Sequence, residues 1–184
     1  GTAAREYIEE ARALGGDEVE LDELGIAVTR LNARLLIAAL EESAAPSPAS
    51  TLEEAELAIR RGEVGVMGGT VAGHTTDAVG TALAESIGAD LVVYATSVDG
   101  VYDSDPNDDA GATKFDELTA RELIEVVGSI ETNAGSNAPV DLLAAKLLER
   151  SGLRGIVLDG TDPTAVRRAI DGAEHDGTEI GAER

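Results

Sequence analysis

The densest group of residues that could do chemistry is Val66-Met-Gly-Gly-Thr-Val-Ala-Gly-His-Thr-Thr-Asp77. An apolar run enters paired glycines, and Thr75 or Thr76 then has the type and place to open a helix. Glycines let a backbone approach an anion closely. A helix N-terminus adds unpaired N–H groups and the positive end of its dipole. The hydroxyls of Thr70, Thr75 and Thr76 are further donors, so a ligand phosphate is the occupant this chemistry suits. The plainer alternative is that Thr75 or Thr76 only caps the helix while Asp77 offsets its dipole. No Gly-Lys-Ser/Thr occurs, and G-x-G-x-x-G spacing is missing. Walker and Rossmann phosphate loops are thereby excluded.

A second constellation is Ala95-Thr-Ser-Val-Asp-Gly-Val-Tyr-Asp-Ser-Asp-Pro106. It follows the apolar run Asp90–Ala95, and ligands of open parallel sheets sit beyond the carboxyl ends of strands. Thr96 and Ser97 have hydroxyls for a ligand, Tyr102 has a ring to lie against a base, and Asp105 can accept from an amine or hydroxyl. A solvated acidic loop is the simpler alternative. Calcium is excluded: Asp103-x-Asp105-x-Asn107 has EF-hand spacing, but the sixth position is Asp108 and the twelfth is Lys114.

The elements that must carry these stretches are legible from periodicity. Apolar residues at three- and four-residue spacing predict helices over Tyr7–Leu14 and Asp22–Glu42. Ser43–Ser50, with two prolines, reads as a loop, and Thr51-Leu-Glu-Glu54 is a capping-box pattern for a helix ending near Arg61-Gly62. Val64–Met67 reads as a short strand, and Thr75 or Thr76 to Ile87 as a helix. Asp90–Ala95 is a strand with the continuous apolar character of a doubly covered sheet. Helices over Thr119–Val127, Val140–Arg150 and Asp162–Ile170 and a strand over Gly155–Leu158 complete the alternation. The fold class this implies is three-layer α/β/α with a mainly parallel sheet, forming one domain over residues 1–184. The reading opens in a helix with no preceding strand, so the opening strand–helix–strand of such a domain is expected to be absent.

Composition limits the partners. The chain has 184 residues, 36 Asp+Glu against 14 Lys+Arg, and a formal net charge of -22. Such a field repels nucleic acid and anionic membranes. There is no cysteine, so thiolate chemistry, disulfides and Cys-based metal sites are excluded. Only Lys114 and Lys146 are lysines; the other cations are arginines. A dense carboxylate surface with screened self-repulsion fits work at molar salt. With no basic n-region and no long apolar run, a cytoplasmic protein without an export signal is expected. His74 and His175 are far apart, so a paired-histidine hydrolase is not indicated, and His175 is expected at the surface.

Together, Met-Gly-Gly-Thr-x-x-Gly-His-Thr-Thr-Asp and the later Thr-x-Val-Asp-Gly-Val-Tyr-x-x-Asp-Pro resemble the archaeal-type UMP kinases of the amino-acid kinase superfamily. Asp22–Ala33, Asn133–Lys146 and Asp176–Ile180 look like the same family, so the resemblance covers essentially the whole chain. It implies transfer of the γ-phosphoryl of ATP, with Mg²⁺, to UMP. It further implies that Thr70, Val71, Ala72, Gly73, His74, Thr75 and Thr76 cradle the UMP phosphate and nucleoside, and that Asp22 holds the ribose. Gly1, Arg5, Thr96, Ser97, Tyr102 and Asp105 match ATP-side positions. Asp77 and Asp141 match acidic positions near the transfer, although Asp141 after Pro139 equally suits a helix N-terminal charge. Lys146 reads as a solvent-facing helix residue. The family usually assembles as homo-oligomers. Two other readings stay open: a superfamily kinase making acyl phosphates on amino acids, and a non-catalytic nucleotide- or oxyanion-binding protein, since the family's opening glycine loop is missing.

Overall fold

The protein is described by a computed structural model covering residues 2–104, 106, 109, 111–131 and 138–181. In chain order its elements are α1 (Thr2–Ala13), α2 (Glu18–Leu40), α3 (Leu52–Arg60), α4 (Thr76–Ile87), β1 (Leu91–Thr96), β2 (Glu117–Thr119), α5 (Ala120–Glu131), α6 (Leu142–Ser151), β3 (Arg154–Asp159), α7 (Pro163–Ile170) and β4 (Thr178–Gly181). The chain gathers in two compact units, Gly1–Val79 and Gly80–Arg184.

In the first unit α2 begins four residues earlier than the periodicity predicts, because Asp17 builds a capping box. The Asp17 carboxylate accepts from the Val19 and Glu20 N–H groups at 3.0 and 2.9 Å, and Glu20 accepts from the Asp17 N–H at 3.0 Å. Three N–H groups at the helix start are satisfied in this way, those of Asp17 and Glu20 reciprocally. Thr51 caps α3 through the Glu54 N–H at 3.2 Å, while the Glu54 carboxylate reaches back to the Ser50 N–H at 2.7 Å. The strand expected over Val64–Met67 is not formed. Two isolated parallel bridges stand there instead, Ala44 with Val64 and Ala49 with Met67. Pro46 and Pro48 lie between them, and proline has no N–H to continue a ladder. A small core of Ala33, Ala44 and Val66, with Ile37 and Leu40 against it, fixes this segment to α2.

The second unit is a mixed sheet in the order β1-β3-β4-β2. β1 and β3 are parallel, as are β2 and β4, but β3 and β4 run antiparallel. Side chains alternate across it with the period of a strand. Val92, Tyr94, Val157, Leu118 and Ile180 face a core shared with Leu123 and Val127 of α5 and Ala144, Ala145 and Leu148 of α6. Ile156 and Leu158 face the other way, onto Ala169 and Val166 of α7. Helices on both faces make the three α/β/α layers. Fully buried aliphatic side chains such as Leu123 and Leu148 each contribute about 1.5–3 kcal/mol. A polar pair enters this layer, the Thr81 and Tyr94 hydroxyls meeting at 2.6 Å.

β2 and β4 are not foreseen from the sequence. The surface position expected for His175 is also overturned: its side chain is only 7% exposed. Its Nδ1 accepts from the Gly177 N–H at 3.1 Å, which folds the ring into the turn before β4.

Candidate functional site

α2 is the platform of the first constellation. Asp22, Ile26, Thr29 and Arg30 are spaced by four, seven and eight residues, which places them on one helix face. All four touch the Gly68–Gly73 turn. The Asp22 carboxylate accepts from the Gly73 N–H at 2.9 Å. The Thr29 hydroxyl accepts from the Gly69 N–H at 2.8 Å and donates to the Ile26 carbonyl at 2.8 Å. Arg30 donates from Nε to the Gly69 carbonyl at 2.9 Å and from Nη2 to the Thr70 carbonyl at 3.4 Å.

The glycines are required by that approach. A Cβ on Gly68 would lie 2.6 Å from Cγ and 2.8 Å from Cα and N of Arg30; one on Gly69 would lie 2.8 Å from Ile26 Cγ1. The turn is therefore laid flat on a helix backbone. Gly73 has φ +80°, the left-handed region that glycine occupies without strain. The His74 N–H donates to the Val71 carbonyl at 3.1 Å, closing the turn. Val71 and His74 are exposed, and Ala72 is half-buried. Thr70 Oγ1 is buried and has no hydrogen-bond partner among the described residues.

Thr75 is the cap of α4, its hydroxyl accepting from the Ala78 N–H at 3.1 Å. Thr76 is the first residue of that helix, and Asp77 sits half-buried in its first turn. The structure thus brings Asp22, the Thr70–Thr76 segment and the α4 N-terminus together in one unit. Thr29 and Arg30 are the members that sequence reasoning missed. The signal available was their position about two helical turns on from Asp22.

In the second unit, the loop after β1 is shaped by its own hydroxyls. Thr96 Oγ1 donates to the Val98 carbonyl at 2.9 Å and accepts from the Val98 N–H at 3.1 Å, so this hydroxyl is engaged locally. Ser97 is exposed and its hydroxyl makes no hydrogen bond among the described residues. The Gly160 N–H donates to the Thr96 carbonyl at 2.9 Å, tying the loops beyond β1 and β3. Tyr102 and Lys114 form an isolated antiparallel bridge that closes the acidic loop.

The Tyr102 hydroxyl donates to Asp99 at 2.7 Å, and Lys114 Nζ donates to Asp99 at 3.3 Å and to the Asp176 carbonyl at 2.6 Å. Partial burial of Asp99 opposes its charge, but these two donors and the Lys114 charge outweigh it and lower its pKa. The same hydrogen bond, with burial and the Asp99 charge, raises the pKa of Tyr102. Any ligand contact by Tyr102 falls to its ring, since the hydroxyl is committed.

Arg5 is exposed on α1. Asp141 is the N-cap of α6, accepting from the Ala144 N–H at 2.9 Å, which is the structural half of its two sequence readings. Lys146 is exposed on α6. Gly1, Asp105 and residues 133–137 of the Asn133–Lys146 stretch lie outside the described residues. Among the described residues no three His, Asp or Glu side chains cluster so as to hold a metal ion. Mg²⁺ commonly takes only one or two carboxylates and completes its shell with substrate phosphates and water. No helix among the described residues is long and apolar enough to cross a membrane.

The amino acid kinase family model matches residues 1–159. A protein of Haloarcula marismortui named uridylate kinase is 63% identical over 180 residues, covering 98% of this chain and 79% of its own. A uridylate kinase of Halobacterium salinarum is 62% identical, covering 98% and 75%. The crystal structure of uridylate kinase from Archaeoglobus fulgidus superposes with a TM-score of 0.85 at 46% identity, covering 98% of this chain and 81% of that one. With the family matched across both units and relatives this close over nearly its whole length, the chain belongs to the amino acid kinase family.

Proposed function

We propose that the chain is a UMP kinase that moves the γ-phosphoryl group of ATP to the phosphate of UMP. An oxygen of the UMP phosphate forms a bond to the γ-phosphorus, the bond from that phosphorus to the β,γ-bridging oxygen breaks, and UDP and ADP result. The observation that carries the reading is the Gly68–Gly73 turn, held flat on α2 by Asp22, Thr29 and Arg30 and leading into the N-terminus of α4. Backbone N–H groups and hydroxyls there suit a phosphate in a protein with few cations. The relatives named uridylate kinase favour a nucleotide acceptor over an amino-acid carboxylate.

In this reading Thr70–Thr76 receive the acceptor phosphate and nucleoside, and Asp22 orients the ribose. Arg5, Thr96, Ser97 and the Tyr102 ring serve ATP, together with Gly1 and Asp105. Asp77 and Asp141 stand near the transfer and orient the reacting groups. Phosphoryl transfer gains chiefly from positioning and charge stabilisation, so this inventory of donors is of the right kind. Mg²⁺ carried on the ATP phosphates supplies charge neutralisation when bound. The two compact units form one amino-acid-kinase domain, the chain assembles with copies of itself, and it works in a salt-rich cytoplasm. The charge of -22 and the relatives from Haloarcula and Halobacterium support that last point.

The test is turnover: ATP is supplied with UMP, with other nucleoside monophosphates, or with aspartate and glutamate, and products are separated by ion exchange. UDP from UMP with no acyl phosphate is expected. Acyl phosphate as the main product, or UMP binding without UDP, would overturn the reading.

A further inference from the structure

We propose that Arg30 is a positioning residue that aims the Thr70 and Val71 N–H groups at the acceptor phosphate, an inference that rests on the acceptor-site reading above. Arg30 holds two successive carbonyls, Gly69 at 2.9 Å and Thr70 at 3.4 Å. The described chain has no cis peptide bonds, and in a trans peptide C=O and N–H point in opposite directions. Pulling the Gly69 carbonyl onto α2 therefore turns the Thr70 N–H away from α2, and the Thr70 carbonyl does the same for the Val71 N–H. Neither N–H makes a hydrogen bond among the described residues. The neighbouring amides have partners: the Gly69 N–H is held by Thr29 and the Gly73 N–H by Asp22.

The turn thus divides its polar groups by direction, with carbonyls toward the guanidinium and two unclaimed donors toward the ligand side. Thr70 Oγ1, buried and without a partner among the described residues, is a third unmet group beside these two amides. The fork of Arg suits this task because one planar group reaches two acceptors; a lysine ammonium is a single point on a flexible stem. Gly68 and Gly69 admit no Cβ against α2, so the distance over which Arg30 acts is fixed by backbone packing.

The experiment compares the protein with Arg30→Met and Arg30→Lys by two readouts. The first is steady-state kinetics. Arg30→Met should raise the KM for UMP by about tenfold or more, the scale of one charge-assisted hydrogen bond, and leave the KM for ATP within about twofold. Arg30→Lys should fall between, and it serves alone if the methionine variant does not fold. The second is titration of inorganic phosphate, followed by the amide proton shifts of Thr70 and Val71. Both should move downfield and saturate in the wild type, and need about tenfold more phosphate in the variants. Phosphate shifts unchanged by either substitution, or KM values for UMP and ATP that rise together, would overturn the role of Arg30. Saturable shifts in a wild type that makes no UDP would instead overturn the kinase reading and leave Arg30 in place.

Discussion

Tyr102 and Asp99, three residues apart, are joined by a hydroxyl-to-carboxylate hydrogen bond of 2.7 Å, and Lys114 approaches the same carboxylate. The pair lowers the pKa of Asp99 below its ordinary 3.8, with the donors overcoming burial, and raises that of Tyr102 above its ordinary 10.0. A depressed carboxylate contributes stability above its unfolded pKa and loses it as pH falls through the folded one. The stability gap between wild type and Asp99→Asn should therefore be constant near neutrality and close as pH drops below 3.8. Tyr102→Phe should act at the other end. Its gap to wild type holds below pH 10.0 and closes as pH rises through the raised phenol pKa. Thermal melts across both ranges check this, and a gap that widens at low pH would contradict it.

Asp22 holds the Gly73 N–H and is also the proposed ribose acceptor. Asp22→Ala should weaken UMP binding by about 1.5–3 kcal/mol, the scale of a hydrogen bond to a charged group, and change ATP binding far less. Calorimetry with each nucleotide gives the comparison. Equal losses would speak against an acceptor-side role.

Gly68→Ala drives a methyl group to 2.8 Å from two backbone atoms of Arg30, which cannot move without deforming α2. A cost of about 1–3 kcal/mol is expected, with a weaker acceptor site. Gly80→Ala is the control. It lies in α4 with nothing within 4 Å of the added carbon, and should stabilise by about 0.5–1 kcal/mol through helix propensity. Denaturant midpoints separate the two.

Asp17→Ala removes the cap at the start of α2 and should cost about 0.5–2 kcal/mol. Its place, one turn before Asp22 and outside the turn, predicts a lower Tm with unchanged UMP affinity.

A surface with 36 acids and 14 bases repels itself. Raising KCl from about 0.1 M to about 1 M shortens the Debye length from ~10 Å to ~3 Å, so Tm should climb across that range. A midpoint that falls with salt would rule out salt adaptation.

The helices and the buried strands β1 and β3 were readable because their signals are local: Thr51, Asp141 and Asp162 are caps by type and place. β2 and β4 were not, since Glu117-Leu-Thr119 and Thr178-Glu-Ile-Gly181 are too short to show a period. The antiparallel turn of β4 onto β3 leaves no mark either, because register is settled by partners distant in sequence. The expected Val64–Met67 strand failed for the converse reason: its composition is right, but the facing segment contains Pro46 and Pro48. At the site, the glycines and threonines announced themselves by spacing. Thr29 and Arg30 did not, because each meets a backbone group some forty residues away. Proximity to the terminus points His175 to the surface, whereas the Gly177 N–H determines where its ring goes.

Lys114 and Lys146 are the only lysines, and the fold treats them in opposite ways. Lys146 is exposed on α6, while Lys114 donates to Asp99 and to the Asp176 carbonyl. The molecule therefore contains a built-in two-channel reporter for amine acylation. Label on Lys146 counts total protein, and label on Lys114 requires its Nζ to leave the Asp99 carboxylate and the Asp176 carbonyl, so their ratio follows the release of those contacts without any introduced probe.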